Sequence, residues 1–165
     1  MNRYLVATLG LLAIAGPAAW AGVVNGTAAK VPLYQARGAM ELTTVAPLAA
    51  SLQGMPVVVR IHADWCPACK ATQPTINELR AAYTGRIHFV QFNVTNAGTA
   101  SASQALAHRL GLETFYQATK AATSTVAVMD PQNGKIYATL YNDSNLGDYE
   151  AAVNRVLGTL KAGGE

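Results

Sequence analysis

From Val57 to Ala63 the chain runs Val57-Val58-Val59-Arg60-Ile61-His62-Ala63, almost continuously apolar and rich in β-branched residues. A run of this kind, preceded by Gly54-Met55-Pro56 and lacking polar alternation, predicts a central strand covered on both faces. Downstream the period changes. Lys70 to Tyr83 places Ile76, Leu79 and Tyr83 at steps of three and four residues, which predicts a helix kinked at Pro74 and closed by Gly85. Ile87, Phe89, Phe92 and Val94 mark a second strand over 86–94, and the helix between makes the two strands parallel in a right-handed unit. Ser101 to Leu110 reads as a helix with Leu106, Ala107 and Leu110 on its buried side, Ser101 or Ser103 as N-cap, and Gly111 as its stop. Leu112 to Ala121 adds a helical turn, with Phe115 and Tyr116 offered to the local core or to a partner. Thr125 to Met129, the turn Asp130-Pro131-Gln132-Asn133-Gly134 and Lys135 to Tyr141 form an antiparallel hairpin. Leu146 to Leu160 closes the chain as an amphipathic helix that buries Tyr149, Val153 and Val156 and is capped by Asn145, and Met40 to Leu52 has helical spacing ahead of the first strand. These elements predict one α/β domain over 39–162, a central mixed β-sheet of two parallel strands plus an antiparallel hairpin, flanked by helices.

The N-terminus carries a different pattern. Arg3, the uncharged run Leu5 to Ala15 and the small-x-small Ala19-Trp20-Ala21 predict a secretory signal peptide over 1–21, followed by a Gly- and Ala-rich linker over 22–38. The apolar run is short of the roughly 20 residues that span a bilayer; an uncleaved N-terminal membrane anchor is the competing reading. Export places the domain in the periplasm, a lumen or the extracellular space, where disulfides persist. A hydrophobic fraction of 51% in 165 residues is ample for one core. The formal charge of +3, with no basic run, argues against a nucleic-acid partner.

The chemistry concentrates at Trp65-Cys66-Pro67-Ala68-Cys69-Lys70, which holds the only two cysteines of the chain. A cysteine at the first turn of a helix lies among unpaired N–H groups at the positive end of the dipole, and this favours its thiolate. Cys66 is therefore the expected nucleophile, open to solvent, and Cys69, one turn on, the thiol that resolves a mixed disulfide. Pro67 suits a first turn because its missing N–H would be unpaired there anyway. Two bland readings compete. A zinc site would need further ligands, yet there is no second CxxC, and His62, His88 and His108 lack the H-x3-H spacing. A purely structural disulfide in so short a loop would constrain the unfolded chain only weakly. His62 reads as a packed histidine at the edge of the core.

Val57 to Thr95 resembles the thioredoxin-fold superfamily in its strand, in Ala63-Asp64-Trp65-Cys66-Pro67-Ala68-Cys69-Lys70, in Pro74 five residues past the second cysteine, and in the strand ending Asn93-Val94-Thr95. It is most similar to extracytoplasmic members such as the C-terminal domain of the bacterial transmembrane thiol-disulfide reductase. The resemblance implies a thioredoxin fold and a thiol-disulfide oxidoreductase that exchanges with protein thiols and disulfides. Its reagent would be the redox-active Cys66–Cys69 disulfide, with no organic cofactor and no metal, and with a membrane electron donor or acceptor as redox partner. It favours a reductant; the alternatives are an oxidant or isomerase of the same chemistry, and a metal- or Fe–S-binding thiol module. Trp65, Pro67 and Ala68 would shape access. Two positions depart from the family pattern. Arg60 stands six residues before Cys66, where thioredoxins commonly bury a carboxylate that accepts a proton. It is expected either to reach a pocket edge and pair with Asp64 or Glu78, or to stabilise the Cys69 thiolate. Ser124, or Thr123, stands where the family places a cis-proline, just before Thr125, and a trans bond is expected there. Ser124 and Thr125 are accordingly expected to tune the site.

Overall fold

The strand carrying the cysteine motif is the second of four in the sheet order β2-β1-β3-β4. These strands are β1 (Val57–His62), β2 (His88–Asn93), β3 (Thr125–Met129) and β4 (Ile136–Tyr141). The computed structural model describes residues 46–163. The predicted signal segment, the linker and the start of the helix predicted from Met40 therefore lie outside the described residues. The end of that helix is a 3-10 turn, Ala50–Leu52. β2 runs parallel to β1 in the register Val57↔His88, while β3 and β4 are antiparallel. This is the mixed sheet of a thioredoxin fold.

Alternation along β1 divides the core. Val57, Val59 and Ile61 pack with Leu112, Phe115 and Tyr116 under helices α3 (Ala97–Leu110) and α4 (Glu113–Thr119). Val58 packs with Ile76 and Leu79 of α2 (Gln73–Ala82) and with Tyr149, Val153 and Val156 of α5 (Leu146–Ala162). Arg60, two residues after Val58, projects to that second face. Phe115 and Tyr116 are thus core residues, Tyr116 meeting the Phe92 ring edge-on at 5.1 Å.

Two boundaries differ from the predicted ones. The helix expected over 70–83 is broken rather than kinked: α1 (Pro67–Ala71) ends at Thr72, and α2 starts at Gln73. Pro74 has no N–H to give to the carbonyl of Lys70, so the turn cannot close there. Helix α3 starts four residues before Ser101, capped by Asn96: its Oδ1 accepts the Thr99 N–H at 3.0 Å, and the Thr99 hydroxyl accepts the Asn96 N–H at 3.1 Å. Ser103 instead accepts the Asn93 N–H and donates to the Asn93 carbonyl, tying α3 to the end of β2. Asn96→Ala should cost about 1 kcal/mol in urea unfolding. Ser101→Ala should cost nothing measurable, and a larger loss at Ser101 than at Asn96 would contradict this capping.

Candidate active site

The site grows from the end of β1. After His62 the backbone turns, the Cys66 N–H reaching back to the Ala63 carbonyl at 3.1 Å. Cys66 then enters α1 as its N-cap in extended geometry, with Pro67 in the first turn. The Cys66 Sγ accepts the Cys69 N–H at 3.0 Å, a sulfur doing what a serine or aspartate oxygen does at other helix starts. Both cysteines are free thiols, packed against Ala63, Ala68 and Val94.

Burial alone would push the Cys66 thiol up. Hydrogen bonds from the Cys69 side chain, from the Thr123 hydroxyl and from the N–H groups of Cys69 and Ala68 outweigh it and bring Cys66 below the ordinary cysteine value. Cys69 moves the other way. Burial raises it, its hydrogen bond to Cys66 raises it further, and Arg60 opposes both. Of two neighbouring thiols driven apart in this way, the one of lower pKa offers the larger fraction of thiolate.

One expectation fails here. Cys66 is not open to solvent: it is 3% exposed, and Cys69 is 0% exposed. Packing is the reason, because Cys66 lies in a cluster with Ala63, Cys69, Ala68 and Val94. The cover is shallow, since the flanking residues Trp65, at 60%, and Pro67 are both exposed.

The other named residues separate into two groups. Trp65 stands over the turn with its indole N–H on the Thr95 carbonyl at 3.0 Å, and Ala68 is half-buried against the sulfurs. Arg60 does not reach a pocket edge and pairs with neither Asp64 nor Glu78. It is 0% exposed, because its place on β1 points it under α1 and α2. There it donates to the Cys69 carbonyl and to the Gln73 side chain, both at 2.7 Å. Asp64 instead pairs with His62 Nε2 at 3.0 Å. Thr125 is buried with its hydroxyl on the Ala122 carbonyl at 2.7 Å, so it braces the loop and offers nothing to a substrate. Ser124 is also buried, its hydroxyl 3.4 Å from that of Thr72. The peptide bonds of the described residues are all trans, including the one before Ser124. Of the residues 123 and 124, the half-buried Thr123 is the one that reaches the nucleophile. Gln73 and Thr72 carry no signal of their role in the sequence, and Thr95 enters it only as the end of the strand Asn93-Val94-Thr95. Among the described residues no three His, Cys, Asp or Glu side chains gather as a metal site.

The thioredoxin family model matches residues 43–127, just over half of the chain. The chain belongs to the thioredoxin family. Thioredoxin-family proteins act through a redox-active disulfide, the chemistry for which Cys66 and Cys69 are placed. The chain is 43% identical over 51 residues to the thiol:disulfide interchange protein TxlA homolog of Synechocystis, a match covering 30% of this chain and 28% of that protein. It is 40% identical over 59 residues to the thioredoxin of Peptoclostridium acidaminophilum, covering 36% of this chain and 51% of that one. The matched segment thus spans between about a quarter and a half of these relatives. Among solved structures, the thiol:disulfide interchange protein of Chlorobium tepidum superposes with a TM-score of 0.49 at 18% identity, over 70% of this chain and 97% of that one.

Proposed function

We propose that this chain is an exported thiol-disulfide oxidoreductase that exchanges a disulfide with protein substrates. The observation that carries the reading is the Cys66 sulfur at the N-cap of α1, one turn from Cys69 and ionised more readily than an ordinary thiol. In the reductive direction the Cys66 thiolate attacks a substrate disulfide, expelling one substrate thiolate. Cys69, on losing its proton, attacks Cys66 and releases the second, leaving the Cys66–Cys69 disulfide. Oxidation of a substrate dithiol is the same sequence reversed. The signal-like pattern of residues 1–21 supports export, and export supports a membrane electron partner. Resemblance to extracytoplasmic electron-transfer domains favours a reductant. One feature of the chain itself favours the oxidant: the cation Arg60 buried beneath Cys69.

The test is to equilibrate the purified full chain with glutathione buffers, and to follow its catalysis of protein-disulfide reduction by dithiothreitol. A reversible Cys66–Cys69 disulfide together with accelerated reduction is expected. If alkylation and mass analysis find no such disulfide under any buffer, the proposal fails.

A further inference from the structure

Arg60 is a charge in a place that does not repay burying one. The guanidinium is fully buried, its two bonded nitrogens meet only neutral oxygens, those of Cys69 and Gln73, and its Nε has no partner. Among the described residues no carboxylate lies within salt-bridge distance of it. An arginine so placed does not discharge itself by losing its proton, as a lysine or histidine would. A buried cation without an anion is strongly unfavourable, and neutral hydrogen bonds relieve only part of that. The ionisable groups that face it are Cys69, Tyr149 and Cys66. Tyr149 is excluded as the counter-ion, because burial holds its phenol up at about 12 and its hydroxyl is donated to the Asp143 carbonyl. Only the sulfurs remain, and they carry a negative charge only when reduced.

We infer that Arg60 is a positioning residue whose buried charge is balanced by the reduced cysteine pair and left unbalanced in the disulfide, so that it drives the protein towards taking electrons from substrate dithiols. The inference rests on the oxidoreductase reading above and fixes its direction. A substrate thiolate attacks Cys66 of the Cys66–Cys69 disulfide, and the S–S bond breaks with its electron pair on Cys69, next to Arg60. The second substrate thiol loses its proton to solvent and attacks the substrate sulfur of the mixed disulfide, releasing Cys66 as a thiolate. The substrate gives up two electrons and two protons. The protein gains the two electrons, and one proton settles on Cys69, the thiol of higher pKa. A more oxidising disulfide must then regenerate the protein.

The experiment measures the equilibrium constant of the pair against glutathione for the full-length wild-type chain and three variants. Arg60→Met removes the charge and keeps the bulk. Gln73→Glu keeps the arginine but puts a carboxylate where its partner oxygen lies, 2.7 Å away. Arg60→Lys puts in its place a cation that burial can discharge. Both Arg60→Met and Gln73→Glu should make the disulfide harder to reduce by at least about tenfold, which is about 30 mV for this two-electron couple. Arg60→Lys, whose ammonium can lose its proton when buried, should shift in the same direction by no more than Arg60→Met does. A purely structural arginine would alter unfolding and leave the equilibrium constant in place. Wild-type constants in both Arg60→Met and Gln73→Glu, or a shift of either towards easier reduction, overturn the inference while leaving the oxidoreductase reading intact. If Arg60→Met does not fold, Gln73→Glu alone decides. A wild-type pair that never equilibrates with glutathione removes both.

Discussion

Cys66→Ser is expected to abolish exchange, lowering turnover by at least about a thousandfold, the scale on which removal of a covalent nucleophile acts. Serine can replace the sulfur as N-cap, so α1 should survive and the loss should be chemical rather than structural. Cys69→Ser should behave differently: it still attacks substrate but cannot resolve, and a mixed disulfide through Cys66 should accumulate and be visible by mass. Should the stable adduct form through Cys69 in a Cys66→Ser variant instead, the assignment of roles is inverted. The pH dependence carries the same information. The alkylation rate of Cys66 should reach half its plateau below the ordinary thiol value of about 8.5, because its folded pKa is lowered. The plateau itself should lie below that of a free peptide thiol, because Cys66 is only 3% exposed. In the reduced protein the two thiols also make opposite contributions to stability. That of Cys66 is present above the ordinary value and lost as the pH falls through its lowered one. For Cys69, whose pKa is raised, the contribution is present below the ordinary value and lost as the pH rises through the raised one.

That two thiols would sit at a helix start, and that the helix would follow a doubly covered strand, is legible because both facts are local. A run of β-branched residues, a CxxC and a proline in the first turn each act within a few residues of themselves. The hairpin and its turn, Gly111 as a helix stop with φ of 74°, and Asn145 as a cap are local in the same sense. What was not legible depends on direction. The sequence places Cys66 at the tip of α1 but does not tell that Ala63, Ala68 and Val94 pack about it. For Arg60 the sequence leaves a pocket edge and the Cys69 thiolate both open, because nothing local says that the Cys69 carbonyl and Gln73, nine and thirteen residues away, lie over its strand. The break at Thr72 brings them there, and it follows from Pro74 only once the missing hydrogen bond is traced to its acceptor. The cap of α3 was missed for a different reason. The apolar face begins only at Leu106, whereas Asn96 and Thr99 make a reciprocal pair ahead of that face.

Ser124→Pro, which would put a proline where the family resemblance expects one, should destabilise the protein by about 3 kcal/mol or more. Ser124 has φ of 68°, a left-handed conformation closed to proline, whose ring holds φ near −65°. Its N–H donates to the Ile61 carbonyl at 2.9 Å and its own carbonyl accepts from Asn142, so this residue stitches the loop to the end of β1 on one side and to the end of β4 on the other. A proline removes the first of those bonds and forces the Ala122–Thr125 turn to reorganise beside Cys66. Ser124→Gly adopts the same φ without a Cβ, and the relief of left-handed strain, about 1 kcal/mol, should offset the loss of the hydroxyl near Thr72. The glycine variant should therefore unfold in urea near the wild-type midpoint while the proline variant unfolds far earlier. A proline variant as stable as wild type would mean that the loop can rebuild itself around a proline, and that the turn at Ser124 is one of two interchangeable solutions. The physical expectation is that they are exclusive. A left-handed residue that uses its N–H to close the sheet and a proline that has none cannot occupy one position.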